Sequence, residues 1–313
     1  MSRWTTKDLP SLQGRSVVIT GTGGIGYETA VAMAGAGATV LLSGRNPTSG
    51  RAAVDRIRAA TPGANASFEQ IDLADLDSIA AFGERLRAGR DSLDLLINNA
   101  GVMAPPDKRL TKDGFELQFG TNFLGHFALT AHLLPLLRLG HEPRVVTLGS
   151  IAANGAAIDF SNLNAERSYK PMVNYGQSKL ACVLFALELQ RRSQANAWGV
   201  NSIGAHPGVS RSDLITNSAN RWHFSSLMRT YLPFLFQPVA QGALPTLYAA
   251  TSPDARPGGY YGPNRMGETR GYPVAAKIVE QAADPQIAGR LWEEAIRLTG
   301  VSFGQSVESS MSS

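Results

Sequence analysis

Residues 16–26 read Ser-Val-Val-Ile-Thr-Gly-Thr-Gly-Gly-Ile-Gly. The first five residues, short and rich in β-branched side chains, predict a strand. The next six contain four glycines. Glycine admits positive φ and, lacking a Cβ, lets an anion come close to the backbone. A helix is expected over Ile25–Gly35, and its N-terminus would offer free N–H groups and a partial positive charge. Strand, glycine turn and helix in this order predict a pyrophosphate cradle formed by Gly21, Gly23, Gly24, Ile25 and Gly26. A plain tight turn needs fewer glycines.

The same alternation continues down the chain. Thr39–Ser43, Ser67–Ile71, Asp94–Asn98, Arg144–Leu148 and Val200–Ala205 are short apolar runs bounded by turn residues, and they read as strands. Several are apolar at consecutive positions, which suits parallel strands covered on both faces. Ser49–Ala60, Asp75–Ala88, Lys112–Leu137 and Val173–Gln194 have helical length and pattern. The expected fold is α/β, a doubly wound parallel sheet of the Rossmann type. After Pro207 the rhythm breaks. Ala240–Ala250 and Pro285–Thr299 read as helices and Gly259–Tyr261 as a short strand, while the Ser-rich tail 302–313 is expected to fray. No repeat or linker divides the chain. The reading is one domain over 1–313: a core of about 14–206, a substrate lid of about 213–237, and a C-terminal strand and helix of about 238–300.

Composition narrows the function classes. The 313 residues are 43% hydrophobic and 17% charged, as in an ordinary globular protein. The net charge of +4 is spread as scattered arginines, without the basic cluster that grips nucleic acid. Such a balance suits a phosphorylated cofactor better. No apolar run reaches the roughly 18–20 residues of a membrane span, and Met1–Pro10 lack the apolar core of a signal peptide. The single cysteine, Cys182, lies in an expected apolar helix and reads as a buried structural thiol. A cytoplasmic location is expected.

The second strand ends Ser43-Gly44-Arg45-Asn46. An NAD site usually places an acid near this point for the ribose 2′-hydroxyl, whereas an arginine accommodates a 2′-phosphate. No acid is present, and Arg45 can meet a phosphate with two parallel N–H bonds. NADP(H) is therefore expected over NAD(H), the other reading of Arg45 being a solvated surface arginine. Further on, Tyr175 and Lys179 stand four residues apart, on one face of a helix. A phenol ordinarily ionises near pH 10, and a cation fixed beside a phenol favours the phenolate. Such a phenol can exchange protons near neutral pH. Ser150 ends the fifth strand, where it could hydrogen-bond a substrate oxygen. Asn122 lies mid-helix, where it could connect Lys179 to solvent through water. Alone, Tyr-x-x-x-Lys is a common surface spacing. It gains weight one helix after Ser150, in a chain with a dinucleotide loop.

These motifs together resemble the short-chain dehydrogenase/reductase family, in particular its retinol dehydrogenase and protochlorophyllide reductase-like branch. The resemblance spans roughly residues 10–300 and rests on TGTGGIG (20–26), GRN (44–46), DL (72–73), NNAG (98–101), TNFLGHF (121–127), LGSIA (148–152), YGQSK (175–179), HPGVSRSDL (206–214) and GGYYGP (258–263). It implies Tyr175 as general acid in carbonyl reduction and base in alcohol oxidation. Lys179 would assist that exchange and bind the nicotinamide ribose, Ser150 would position the carbonyl oxygen, and Asn122 would complete a proton relay. It further implies that Asp72 and Leu73 frame the adenine and that Asn99, Ala100 and Gly101 support the adenosine side. Pro207, Gly208 and Val209 would hold the carboxamide face, with Ser212 where relatives carry a cofactor-contacting Thr. A homodimer through Lys112–Leu137 and Val173–Gln194 is also compatible. One departure stands out: the family loop is T-G-x-x-x-G-x-G, and Thr20–Gly26 is one residue shorter. It lacks a side chain that relatives can place on a 2′-phosphate, and it could shift a diphosphate by about an ångström or more.

Five aromatics between Trp222 and Phe236 suggest an apolar pocket cover and a bulky hydrophobic ketone, aldehyde or secondary alcohol as substrate. The same aromatics could instead bury against the body or a second subunit. His126, His206 and His223 share no metal-ligand spacing and read as structural. The leading reading is an NADP-dependent carbonyl reductase or alcohol dehydrogenase. The competing ones are a non-catalytic NADP-binding sensor, a double-bond reductase on the same fold, and an extended-type epimerase or dehydratase. The sensor would typically have lost a reacting residue, and the NNAG string and short C-terminal region speak against the epimerase.

Overall fold

The computed structural model describes residues 3–210 and 237–304. An eight-stranded sheet forms its centre, in the order β3-β2-β1-β4-β5-β6-β7-β8. The strands are β1 (Ser16–Thr20), β2 (Thr39–Gly44), β3 (Ala66–Gln70), β4 (Leu95–Asn98), β5 (Arg144–Leu148), β6 (Asn201–Ala205), β7 (Tyr260–Arg265) and β8 (Arg270–Ala275). The first seven run parallel, as expected for strands buried on both faces, and Val17–Ile19 and Leu95–Ile97 are fully enclosed.

Helices cover both faces. The apolar stripes of α1 (Gly24–Gly35) and α2 (Pro47–Ala60) close one core with Ile19, Val40, Leu42 and Ile97. On the other face, α3 (Leu76–Gly89), α4 (Gly125–Leu137) and α5 (Pro171–Ala195) enclose a second core. Phe127 and Phe185 pack there against Trp292 of the C-terminal helix Pro285–Thr299. Burial explains the Cys182 reading: the thiol is enclosed in this core, and burial pushes its pKa up.

Two expectations need correction. The fourth helix does not begin at Lys112. Residues 109–117 form a tight turn instead, with Gly114 at φ +85°, the Thr111 amide donating to the Phe115 carbonyl and the Leu117 amide to the Arg109 carbonyl. Asp113-Gly114 is turn chemistry. Glu116 then caps the helix, accepting from the amides of Gln118 (3.0 Å) and Phe119 (2.8 Å). The helix opens with a wide π-helical turn, Phe119–Leu124, before continuing as α4. The second correction concerns β7, which runs on past Tyr261 and turns back into β8, antiparallel at the sheet edge. Pro273 and Gly271 hid β8 in the sequence, and a strand containing proline is tolerated at an edge. The expected lid lies outside the described residues apart from Gln237, as do Ser212 and the tail from 305 onward.

α4 sits against the turn after β3 with no space to spare. A Cβ at Gly125 would lie 2.4 Å from the Leu73 carbonyl oxygen, which belongs to fixed backbone. Gly125→Ala should lower stability by about 2 kcal/mol, seen as a lower urea midpoint at unchanged slope.

Candidate active site

The strand order reverses between β1 and β4, and there a crevice opens beyond the carboxyl ends of the strands. It forms a cavity of about 660 Å³, inside the usual range for ligand sites. At one end, Gly21, Gly23, Gly24 and Ile25 line it. Gly21 adopts φ +95°, and its amide donates to the Ser43 carbonyl at 2.7 Å. α1 has Gly23 as N-cap and no side-chain cap, which leaves its first amides available to a ligand. Gly26 lies just behind: a Cβ there would come within 2.5 Å of Asn99 Nδ2. The shortened loop thus remains a bare backbone cradle of the kind a diphosphate fits. Arg45 lines the same end and is exposed, with no side-chain partner among the described residues.

Asn99, Ala100 and Gly101 also line the cavity. They are held by Thr20, the last residue of β1. The Asn99 and Ala100 amides donate to Thr20 Oγ1 at 2.9 and 3.0 Å, and Asn99 Nδ2 donates to the Thr20 carbonyl at 2.7 Å. Asp72 and Leu73 do not line the cavity. The Asp72 carboxylate accepts from the Ala74 amide at 2.9 Å, and Leu73 is buried under Gly125.

The candidate reacting residues line the same cavity. Ser150, Tyr175 and Lys179 are all there, and Tyr175 and Lys179 are only 7% and 6% exposed. Ser150 caps a short 3₁₀ turn, its Oγ accepting from the Ala152 amide at 3.2 Å. Lys179 Nζ donates to the Leu148 carbonyl at 3.0 Å. A Cβ on Gly101 would lie 3.0 Å from Asn122 Oδ1 and 3.5 Å from Lys179 Nζ, so Asn122 and Lys179 converge on one glycine. The Asn122 amide is committed to other partners. Its Oδ1 accepts from the Val102 amide at 2.7 Å, and its Nδ2 donates to the Val102 carbonyl at 3.0 Å and to Ser178 Oγ at 2.9 Å. Its backbone carbonyl accepts from His126 Nδ1 at 2.9 Å and from the Cys182 thiol at 3.1 Å.

Pro207, Gly208 and Val209 close the cavity beyond β6, and Ser210, which sequence reasoning passed over, joins them. Gly208 takes φ +64°, and a Cβ there would lie 2.4 Å from the Thr269 carbonyl oxygen. His206 fixes the approach to this loop. Its Nδ1 accepts from the Gly208 amide at 3.3 Å, so Nε2 donates to Glu268 at 3.1 Å, and burial holds the imidazole below its ordinary pKa. Also missed were Met103, Pro105, Arg109, Leu117, Ile151 and Met172, which line the remaining wall. Only proximity to the NNAG and Ser150 motifs pointed to them.

His126 links these parts. The Asn122 carbonyl can only accept, so Nδ1 carries the proton, and Nε2 accepts from the Thr20 hydroxyl at 2.9 Å. Burial, with the Lys179 charge as a smaller influence, lowers the imidazole pKa to about 4. No cluster of potential metal ligands occurs among the described residues, and no helix among them is long and apolar enough to cross a membrane.

A family profile described as short chain dehydrogenase matches residues 15–222. The chain belongs to the short-chain dehydrogenase family. This dehydrogenase is 38% identical over 303 residues to mouse polyprenol dehydrogenase, covering 95% of this chain and 88% of that protein. It is 37% identical over 299 residues to human retinol dehydrogenase 13, covering 93% and 86%. Among solved structures, an uncharacterised protein of Mycobacterium paratuberculosis superposes with a TM-score of 0.80 at 38% identity, covering 97% of this chain and all of that one. The dehydrogenase is therefore an oxidoreductase of the retinol dehydrogenase-like branch, in a family that uses nicotinamide cofactors, as the motifs implied.

His126 gives a pH signature. The unfolded imidazole takes a proton near pH 6.5 and the folded one only near 4, so the unfolded state binds more protons between them. Its contribution is complete above about pH 6.5 and is lost as the pH falls towards 4, by roughly 2 kcal/mol between pH 7 and pH 5. Denaturant titrations across that range should show this loss, and His126→Gln should flatten it.

Proposed function

We propose that the enzyme is an NADP(H)-dependent carbonyl reductase or alcohol dehydrogenase acting on a bulky hydrophobic ketone or aldehyde, or on the corresponding alcohol. The observation that carries this reading is one continuous cavity joining the glycine cradle and Arg45 to Ser150, Tyr175 and Lys179, and then to an apolar wall of Met103, Pro105, Leu117, Ile151 and Met172. The glycine cradle and the α1 N-terminus would hold the diphosphate, Arg45 the 2′-phosphate, and Lys179 the nicotinamide ribose. The reduced nicotinamide supplies the hydride when bound.

The protein's own part is to orient the carbonyl and to move one proton. The Ser150 hydroxyl donates to the carbonyl oxygen, and the Tyr175 phenol gives that oxygen its proton as the hydride arrives. In the oxidative direction the phenolate takes the proton back. Near-complete burial of Tyr175 and Lys179 keeps competing water away and strengthens each polar contact. The same burial favours an enzyme over a sensor, because a binding-only protein has no need of a screened phenol.

Two measurements test the reading. With NADPH and a panel of bulky aryl ketones and aliphatic aldehydes, Tyr175→Phe should lower kcat by about a hundredfold or more while nucleotide binding persists. Unchanged turnover would remove Tyr175 from the chemistry. Arg45→Ala should raise the KM for NADPH roughly ten- to hundredfold with little change for NADH, the cost of one charge-assisted bidentate contact. Equal losses for both nucleotides would cancel the 2′-phosphate role.

A further inference from the structure

Among the described residues lining the cavity, Arg45, Lys179 and Arg109 carry full charges, and no carboxylate is among them. Arg45 and Lys179 have roles in the proposed cofactor site, and Arg109 has none. Arg109 stands beyond β4, where the wall is otherwise apolar: Met103, Pro105, Leu117 and Met172. Its backbone is fixed, because its carbonyl accepts from the Leu117 amide at 2.8 Å. The neighbouring cations are engaged. Lys108 donates to the Ala165 carbonyl at 3.0 Å, and Lys112 pairs with Asp75 and Asp77, each at 3.0 Å. The Arg109 guanidinium has no hydrogen bond or ion pair among the described residues.

An arginine in open water needs no partner. Arg109 is exposed on its solvent side, but it also lines a cavity with apolar walls and no acid among the described lining residues, where its field acts on whatever enters. A wholly apolar substrate would cover part of that charge's hydration and offer nothing in return, whereas an anionic group would pair with it. We infer that the substrate is amphipathic, with an apolar body bearing the reactive carbonyl and a carboxylate at its far end that docks on Arg109. The inference rests on the reductase reading, since it assigns the tail of the molecule whose carbonyl meets Tyr175. The guanidinium fork matches a carboxylate with two parallel N–H bonds.

The test compares 10-oxodecanoate with methyl 10-oxodecanoate as substrates for NADPH-driven reduction. The aldehyde gains hydride at carbon and a proton at oxygen and becomes the primary alcohol, as NADPH becomes NADP⁺. The wild-type enzyme should favour the acid about five- to tenfold in kcat/KM, through KM, the range of a partly solvent-screened Arg–carboxylate pair. In Arg109→Met the acid-to-ester ratio should fall to about one. In parallel, calorimetry on protein saturated with NADP⁺ should show decanoate binding weakened by a similar factor in Arg109→Met, with decan-1-ol as reference. A ratio that is the same in both proteins, or a wild-type preference for the ester, overturns the proposal. If neither aldehyde is reduced, the reductase reading fails, and the decanoate titration alone decides the role of Arg109: equal affinity for both proteins rejects it.

Discussion

The hydroxyl of Thr20 is a single atom on which three chain segments meet. It accepts from two consecutive amides of the NNAG turn and gives its proton to His126, whose other nitrogen holds the Asn122 carbonyl in the π-helical turn. β1, the end of β4 and the start of α4 are thereby locked in one geometry. The two His126 bonds are buried and the two amide bonds partly so, and an unmade buried partner would cost more than the bond itself contributes. The Asn122 side chain carries the order onward to Ser178, one residue before Lys179. The glycine cradle and the helix segment that bears Lys179 are thus tied into one polar network.

Much of this was legible in the sequence because each signal was local. β1 and β5 fall on the residues their apolar runs indicated, since a strand buried on both faces needs nothing but such a run. Gly21, Gly23 and Gly24 announced the turn because only glycine gives that bare backbone. What stayed hidden depends on distant partners. Nothing near Asp113-Gly114 reveals that Glu116 will cap the helix and delay its start. Nothing in Arg-Gly-Tyr-Pro-Val-Ala shows that it will pair with β7 at an edge that tolerates Pro273. His126 read as structural, which is right as far as burial goes. Its position between Thr20 and Asn122 is a three-dimensional fact without a sequence period. The apolar wall at Met103, Leu117 and Met172 is assembled from three segments whose individual patterns say only that they are partly buried.

The lining of the cavity combines the bare amides of the glycine cradle, the exposed guanidiniums of Arg45 and Arg109, the buried phenol and ammonium of Tyr175 and Lys179, and an apolar wall of Met103, Pro105, Leu117 and Met172. Neutral His126 and His206 flank this array without adding charge to it, because burial holds both imidazoles below their ordinary pKa. A protonated imidazole at His126 would put a second positive charge near Lys179. The low basicity of that ring therefore bears on the site as much as on the core.

Ser210 and Gln237 pair side by side, although 26 positions separate them along the chain. The Gln237 amide donates to the Val209 carbonyl, its side-chain amide donates to the Pro207 carbonyl at 2.6 Å, and its Oε1 accepts from Gly271 at 3.1 Å. Ser210 and Gln237 are thereby stitched to one point beside Pro207 and Gly271. Ser210 lines the cavity, so a change at Gln237, which does not line it, would still reach the cavity wall through these bonds.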